Sequence, residues 1–182
     1  MSFPDTARKE ADLSARKRPA LALDRAFTQR LHTLSKLTDR VSQAAYATDA
    51  GIPFSEGRCL AAIGSFSPLS VNALAQWSNL NKAQASRAAQ SLVAQGLVSK
   101  QASNSDGRGV VLTLTADGQR VWRRVMQVIE QRNADIMACL SAVEAQQFSQ
   151  LLDRLIASAR VTADALAEGG QAGGRARPAR SG

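Results

Sequence analysis

Apolar side chains recur at three- and four-residue spacing in several stretches of the chain, which is the pattern of amphipathic α-helices. A first helix is predicted over residues 24–48, with Asp24 as its candidate cap. A second helix is predicted over residues 55–65, capped by Ser55. The apolar positions of the first helix are Phe27, Leu31, Leu34, Val41 and Ala45.

Two short helices follow, separated by a turn of three residues. Ser70 caps a predicted helix over residues 71–77. Asn81 opens the next helix, and Gln84 three positions later completes a capping-box pattern. This helix ends at Gly96, a residue that favours the left-handed conformation after a helix C-terminus. A short helix, a tight turn and a second helix together have helix-turn-helix spacing.

The remaining pattern predicts a hairpin and two long helices. Residues 97–101 and 110–114 alternate apolar and polar side chains as two strands, joined by a loop over 102–109. A long helix starts at residues 115–117 and runs to about residue 139. Ser141 and Glu144 begin a last helix, whose apolar stripe extends to about residue 166. The predicted fold class is therefore mainly α with one small β-hairpin.

Charge is unevenly distributed along the chain. The net charge is +8 over 182 residues. The two ends, residues 1–20 and 169–182, are polar, basic and without apolar periodicity, so we expect both to be disordered tails around a folded region over residues 21–168. Within that region the positive excess lies in residues 70–110, which hold a single acid, Asp106. Such a bias is weak evidence for a polyanionic partner.

Several other classes of function lack support in the sequence. There is no nucleophile with a plausible base, no carboxylate pair and no glycine-rich phosphate loop, so an enzyme is not predicted. Cys59 and Cys139 have no metal-ligand spacing, and buried or inert thiols are expected at both positions. No metal site or cofactor is predicted. No apolar run reaches membrane-spanning length and the N-terminus lacks a signal-peptide core, so a cytoplasmic protein is expected.

The predicted helix over residues 82–95 separates into two faces. Ala85, Ala89, Leu92 and Val93 form an apolar side that can pack on the preceding helix. The other side has long hydrogen-bond donors, small residues and no acid, and Arg and Gln are the residues that read guanine and adenine in the DNA major groove. A polar surface helix without a DNA role is the alternative. The predicted DNA-contacting residues, including the two caps and one loop arginine, are Ser70, Asn81, Lys82, Gln84, Ser86, Arg87, Gln90 and Arg108.

The stretch SNSDGRGVVLTLT, residues 103–115, places a lone arginine on a loop of turn-forming residues. A hairpin directly after a helix-turn-helix is a wing, and Arg108 at its tip suits the narrow, electronegative minor groove. Asp106 is predicted to orient the Arg108 guanidinium. In the alternative interpretation the acid and its neighbouring glycines serve only the geometry of an ordinary turn.

These residues together resemble the MarR family. The resemblance spans roughly residues 24–166, and its most specific part is Asp106-x-Arg108 followed by Leu114-Thr115-x-x-Gly118. It implies a homodimeric winged helix-turn-helix transcription factor with a DNA-binding lobe over residues 55–115. The helices over 24–48 and 117–166 would form the dimerisation region. Members of the family often bind phenolic or aromatic carboxylate effectors, which weaken DNA binding.

Two departures from the family pattern affect these expectations. Gly107 stands where the family often has a second basic residue, so minor-groove contact is expected to rest on Arg108. Gly57 stands near a position that is often bulky, where glycine either opens room for a ligand or loosens the helix.

The expected effector would be a small aromatic or acidic molecule, for which His32 and Arg58 are candidate partners, although a surface or structural histidine is the favoured interpretation of His32. The predicted function is thus that of a DNA-binding regulator, most often a repressor, on double-stranded operator DNA. A weakly specific architectural DNA-binding protein is the alternative.

Overall fold

The computed structural model of the protein describes residues 22–102 and 110–173, with side chains up to residue 166. Helices dominate these ranges, and the predicted mainly-α class with one small hairpin is confirmed. The chain divides into two units between Val128 and Ile129, a point inside α5. The elements in chain order are α1 (Phe27–Ala45), α2 (Phe54–Phe66), α3 (Val71–Trp77), α4 (Lys82–Ala94), β1 (Val98–Ala102), β2 (Val110–Leu114), α5 (Ala116–Met137) and α6 (Ala142–Gly173).

The first helix begins later than the sequence predicts, and Asp24 does not cap it. Leu23–Arg25 form a 3-10 turn, closed by a 2.9 Å hydrogen bond from the Arg25 N–H to the Ala22 carbonyl. Ala26 is extended, with ψ at 132°, and takes the N-cap position without a side-chain hydrogen bond. At its other end α1 continues into a π-helical turn, Tyr46–Ala50. The apolar periodicity therefore placed the helix correctly but not its first turn.

The second helix also begins without the predicted serine cap. Pro53 is the N-cap residue and its carbonyl accepts a 2.8 Å hydrogen bond from the Gly57 N–H, so Ser55 lies inside the first turn of α2. Phe54 is the first residue of the helix. Its ring meets the Tyr46 ring edge to face, with centroids 5.2 Å apart, and this contact joins the π-helical turn to α2.

Gly57 does not open space for a ligand, because Tyr46 already fills that space. A Cβ atom built on Gly57 would lie 2.2 Å from Cδ1 of Tyr46. Tyr46 is buried, and burial raises the pKa of its phenol. The glycine is therefore a packing requirement of the tyrosine.

The core of the first unit lies between α2, the helix-turn-helix and the hairpin. Its fully buried large side chains are Leu60, Ile63, Leu74, Leu92, Leu112 and Val125. The segment after α2 joins the hairpin through Leu69, which exchanges two backbone hydrogen bonds with Leu112, of 2.9 and 3.3 Å. The hairpin is thus attached to the core through the middle of β2 as well as through β1.

The Leu114-Thr115-x-x-Gly118 motif connects the hairpin to α5. The Thr115 hydroxyl donates to the Gly96 carbonyl at 2.7 Å and accepts from the Gly118 N–H at 3.0 Å. A Cβ on Gly118 would lie only 1.9 Å from the Leu97 carbonyl oxygen, so any larger residue would force α5 away from the start of the hairpin. The motif therefore fixes where the hairpin begins relative to the helix that follows it.

The second unit contains the end of α5 and the whole of α6. The predicted start of α6 is confirmed: the Ser141 N–H and hydroxyl both donate to the Glu144 carboxylate, at 2.8 and 2.7 Å. These hydrogen bonds lower the pKa of Glu144. The helix continues to Gly173, beyond the predicted end at residue 166 and into the segment expected to be a disordered tail. Helix propensity does not explain this extension, because residues 167–173 hold three glycines and two alanines.

Candidate nucleic-acid interface

Helices α3 and α4 form the predicted helix-turn-helix, and side chains close both helix N-termini. Ser70 Oγ accepts a 3.2 Å hydrogen bond from the Ala73 N–H. At α4 the Gln84 N–H donates to Asn81 Oδ1 at 2.8 Å, and the Asn81 N–H donates to Gln84 Oε1 at 3.1 Å. Between the helices Asn79 adopts a left-handed backbone with φ at 51°. The local sequence thus fixes where each helix starts and how sharply the chain turns.

The inner face of α4 is built from small residues. Ala85, Ala88, Ala89 and Leu92 are buried, while Val93 is only half-buried, so the predicted packing face is confirmed and shifted slightly toward Ala88. The small alanine side chains permit α4 to approach α2 and α3 closely. The opposite side of α4 remains exposed to solvent.

The outer face of α4 carries the predicted DNA-contacting side chains. Lys82, Arg87 and Gln90 are exposed, and Ser86 is half-buried at the margin. Helical geometry places Arg87 and Gln90 nearest the centre of this outward face. No acid occurs in α4, and neither Lys82 nor Arg87 forms an ion pair with another residue of the described ranges. These two cations are therefore available to a partner.

Three of the predicted contact residues already serve as helix caps. Ser70, Asn81 and Gln84 each use a side-chain oxygen within the capping hydrogen bonds. Their remaining capacity is one hydroxyl donor for Ser70 and one amide group each for Asn81 and Gln84. Such groups suit phosphate contacts at a helix N-terminus better than bidentate reading of a base.

The hairpin presents the predicted wing beside this face. Its strands pair antiparallel from Val98 opposite Leu114 to Ala102 opposite Val110, one residue later on the first strand than predicted. Ser99 and Thr113 share a 2.8 Å hydroxyl hydrogen bond across the pair. Asp106 and Arg108 lie outside the described residues, so their predicted roles stay predictions.

Helix α2 contacts the helix-turn-helix at both ends of the recognition helix. Before α4, Arg58 Nη2 donates to the Asn79 carbonyl at 3.2 Å, and its guanidinium lies 5.5 Å from the centre of the Phe54 ring. After α4, the amide of Gln95 donates to Glu56 Oε2 at 2.7 Å. These two contacts, which we call the α2 clamp, were not predicted, because they join residues distant in sequence that no local pattern connects.

The two predicted effector residues are in different surroundings. His32 is exposed on α1 and lines a surface groove of about 540 Å³ together with Lys36 and Arg40, which follow it at four-residue spacing. Arg58 is not part of this groove and belongs to the α2 clamp.

The two cysteines differ in accessibility. Cys59 is fully buried, as predicted; desolvation raises its pKa to about 11 and outweighs the opposing hydrogen bond from Ser78. Cys139 is exposed after α5, so of the two expected alternatives, a buried or an inert thiol, the buried one is wrong there and the inert one stays a prediction. In the described ranges no three His, Cys, Asp or Glu side chains gather as metal ligands. None of the helices described is both long and apolar enough to cross a membrane.

Comparisons with known proteins agree with this geometry. The family model described as "MarR family" matches residues 50–109, the span from the end of the π-helical turn to the residue before β2. Over this span the chain is similar to the MarR family, as the sequence predicts.

Individual relatives cover most of the folded region. HTH-type transcriptional repressors of Mycobacterium bovis (Mb2911) and Mycobacterium tuberculosis (Rv2887) are 28% identical over 116 residues, which are 64% of this chain and 84% of each relative. The solved structure of the M. tuberculosis MarR family protein Rv2887 in complex with salicylic acid has a TM-score of 0.60 at 25% identity and covers 71% of this chain and 96% of its own. A MarR family regulator from Silicibacter pomeroyi has a TM-score of 0.66 at 20% identity, over 76% and 92% of the two chains.

Proposed function

We propose that this protein is a homodimeric repressor of the MarR family. It binds a pseudo-palindromic operator with α4 in the major groove of each half-site, and a small aromatic or acidic effector releases it. The observation that carries the proposal is the outward face of α4, where exposed Lys82, Arg87 and Gln90 stand on a helix without an acid. The relatives named as transcriptional repressors support repression rather than activation.

DNA contacts divide into two kinds in this proposal. Arg87 and Gln90, at the centre of the outward face, read base edges. Lys82, Ser86 and the capping residues Ser70, Asn81 and Gln84 contact phosphates and set the register of the helix on the duplex. Arg108 of the wing enters the adjacent minor groove, held in orientation by Asp106.

Dimerisation is supported by two apolar faces that remain exposed within one chain. On α1 the exposed apolar residues include Phe27, Leu31, Leu34, Leu37 and Val41, and on α6 they include Phe148, Leu151, Leu152, Leu155 and Ile156. Monomeric proteins seldom expose continuous apolar faces of this kind. A symmetric second copy buries both faces and spaces two recognition helices for one palindromic site.

An effector of the aromatic acid class is supported by the relative solved with salicylic acid. His32 remains a candidate for its carboxylate, because the surface groove also contains Lys36 and Arg40. Arg58 remains a candidate as well, although its hydrogen bond to Asn79 gives it a structural partner.

The experiment that tests the proposal compares two DNA targets. Fluorescence anisotropy at physiological salt measures the affinity for the region upstream of the protein's own gene and for random DNA of equal length. We expect at least about a thousandfold preference for the upstream region and release by salicylate. Equal affinities would instead favour the weakly specific architectural protein.

A further inference from the structure

A cleft at the root of the hairpin is separate from both the DNA-contacting face and the α1 groove. Its volume is about 520 Å³. It is bounded by Gly64 and Ser67 at the end of α2, by Thr113 near the end of β2, and by Gln119, Trp122 and Arg123 on the first turns of α5. We call it the root cleft. All of these residues belong to the first unit of the chain.

The root cleft contains a buried hydrogen-bond donor that the protein leaves without a partner. The indole N–H of Trp122 is buried and makes no hydrogen bond with any described residue. The nitrogen edge of the ring packs against Gly64, where a Cβ would lie 2.3 Å from Nε1, so position 64 leaves no room for a side chain beside the indole. Buried donors without partners are costly, and they are uncommon in native proteins unless a bound molecule satisfies them.

The charge of the root cleft is positive. Arg123 is exposed at its edge and forms no ion pair within the described ranges, whereas Arg120, one turn earlier, is paired with Asp117. None of the described residues that line the cleft is a carboxylate. An unpaired guanidinium, an unpaired indole N–H and the flat face of the indole ring together suit a planar ligand that carries a carboxylate.

We propose that the root cleft is the binding site of the aromatic acid effector, with its carboxylate on Arg123 and the Trp122 indole N–H. This assignment rests on the proposed effector response. The location supplies a route to DNA release, because the ligand contacts β2, the strand that continues into the wing, and α5 and α2 at the same time. Binding there changes how the hairpin is held against the lobe and thereby displaces Arg108 from the minor groove.

Nuclear magnetic resonance of the indole groups tests the binding step on the full-length protein. The chain has two tryptophans, and the cross-peak that Trp77→Phe removes identifies the other as Trp122. Salicylate is the probe. We expect it to shift the Trp122 N–H proton downfield, as a new hydrogen bond does, and to leave the Trp77 cross-peak in place.

Two variants on one helix provide matched arms of the experiment. Arg123→Ala removes the proposed carboxylate partner, and Arg124→Ala removes an exposed arginine that does not line the root cleft. We expect the salicylate Kd from the Trp122 shift to rise about tenfold or more in Arg123→Ala and to stay unchanged in Arg124→Ala. Trp122→Phe keeps an aromatic ring but lacks the indole N–H donor. It should weaken salicylate binding by about fivefold in calorimetry.

Operator release, measured on the same variants, separates the failure of this site from the failure of the proposed function. Release that is lost in Arg123→Ala and kept in His32→Ala supports the root cleft. Release that persists unchanged in Arg123→Ala, or a Trp122 cross-peak that does not respond to salicylate, overturns the root cleft and leaves the repressor proposal standing. If salicylate shifts the Trp122 cross-peak but does not release DNA from the wild-type protein, the effector assignment is overturned. The operator preference of the protein is measured independently and is unaffected by that outcome.

Discussion

At the residue scale, Arg87 is the side chain on which we expect sequence recognition to depend most. It lies near the centre of the outward face of α4 and has no ion-pair partner in the described ranges. Arg87→Ala should weaken operator binding by about 1–3 kcal/mol, because a bidentate contact with guanine is lost. Anisotropy titrations on the operator and on single-base variants measure this loss and the relaxed preference at one position.

The matched control for Arg87→Ala is the Arg124→Ala variant, which removes an exposed arginine of α5. It should bind operator DNA like the wild-type protein. If Arg87→Ala loses equal free energy on operator and random DNA, Arg87 contacts phosphate and the base-reading role is wrong.

The wing offers a prediction whose sign distinguishes two electrostatic models. Arg108→Ala should lower the slope of log affinity against log salt by about one charge per protomer. Asp106→Ala removes a negative charge near DNA, so simple electrostatics predicts tighter binding. The orienting role predicts weaker binding, since Arg108 would lose its partner. A gain in operator affinity for Asp106→Ala would leave the acid with a turn-forming role alone.

The two thiols should differ in reactivity in the native protein. Burial raises the pKa of Cys59 to about 11, so at pH 8 it remains a protonated, inaccessible thiol, whereas Cys139 is exposed. Titration with a chromogenic disulfide at pH 8 should count one thiol per native chain and two in denaturant. The Cys139→Ser variant should give none before denaturation. Rapid reaction of two thiols in the native protein would contradict the burial of Cys59.

At the element scale, we expect the α2 clamp to make α2 a determinant of DNA binding without a DNA contact. Arg58→Ala removes the hydrogen bond to the Asn79 carbonyl and the guanidinium over Phe54. The turn before α4 then loses one tertiary restraint, and we expect operator affinity to fall by about 1 kcal/mol. His32→Ala, on the exposed side of α1, should leave operator affinity unchanged. If operator affinity is unchanged in Arg58→Ala and the effector response is lost, Arg58 acts in the effector response and the α2 clamp does not affect DNA binding.

The helix-turn-helix was predictable because its signals are local. Ser70, Asn81, Gln84 and Gly96 act on backbone groups within four residues, so the sequence alone placed both helices and the turn. The start of α2 was misplaced because Pro53 takes the N-cap position and Ser55, a better capping residue, lies two residues too late.

Tertiary contacts could not be predicted from local pattern. The hydrogen bond between Glu56 and Gln95 joins residues 39 positions apart. Likewise, neither Gly57 nor Gly64 reveals in sequence that an aromatic ring occupies the space beside it. The root cleft depends on such a contact. No local pattern therefore points to Trp122 and Arg123 as effector residues, whereas His32 lies on a strongly periodic helix.

At the scale of the whole molecule, the apolar face of α6 requires a partner surface. Leu155 is 49% exposed and Ile156 42%, within one continuous stripe along the helix. Val161, 71% exposed, lies about 120° around the same helix from Leu155 and therefore outside the stripe. A second copy that covers the stripe would bury Leu155 and leave Val161 in solvent.

This asymmetry gives the dimer a paired test. Leu155→Glu should shift the protein to monomer at micromolar concentration in light scattering, because a buried carboxylate without a partner opposes association. Operator affinity should fall with it, since one protomer occupies one half-site and loses the effective concentration that the second provides. Val161→Glu introduces the same charge on the same helix and should remain dimeric with unchanged affinity.

If the wild-type chain is already a stable monomer at micromolar concentration, the stripe has another partner and two linked recognition helices cannot account for operator binding. If both variants remain dimeric, the interface lies elsewhere than on α6, and the exposed face of α1 becomes the surface to mutate next.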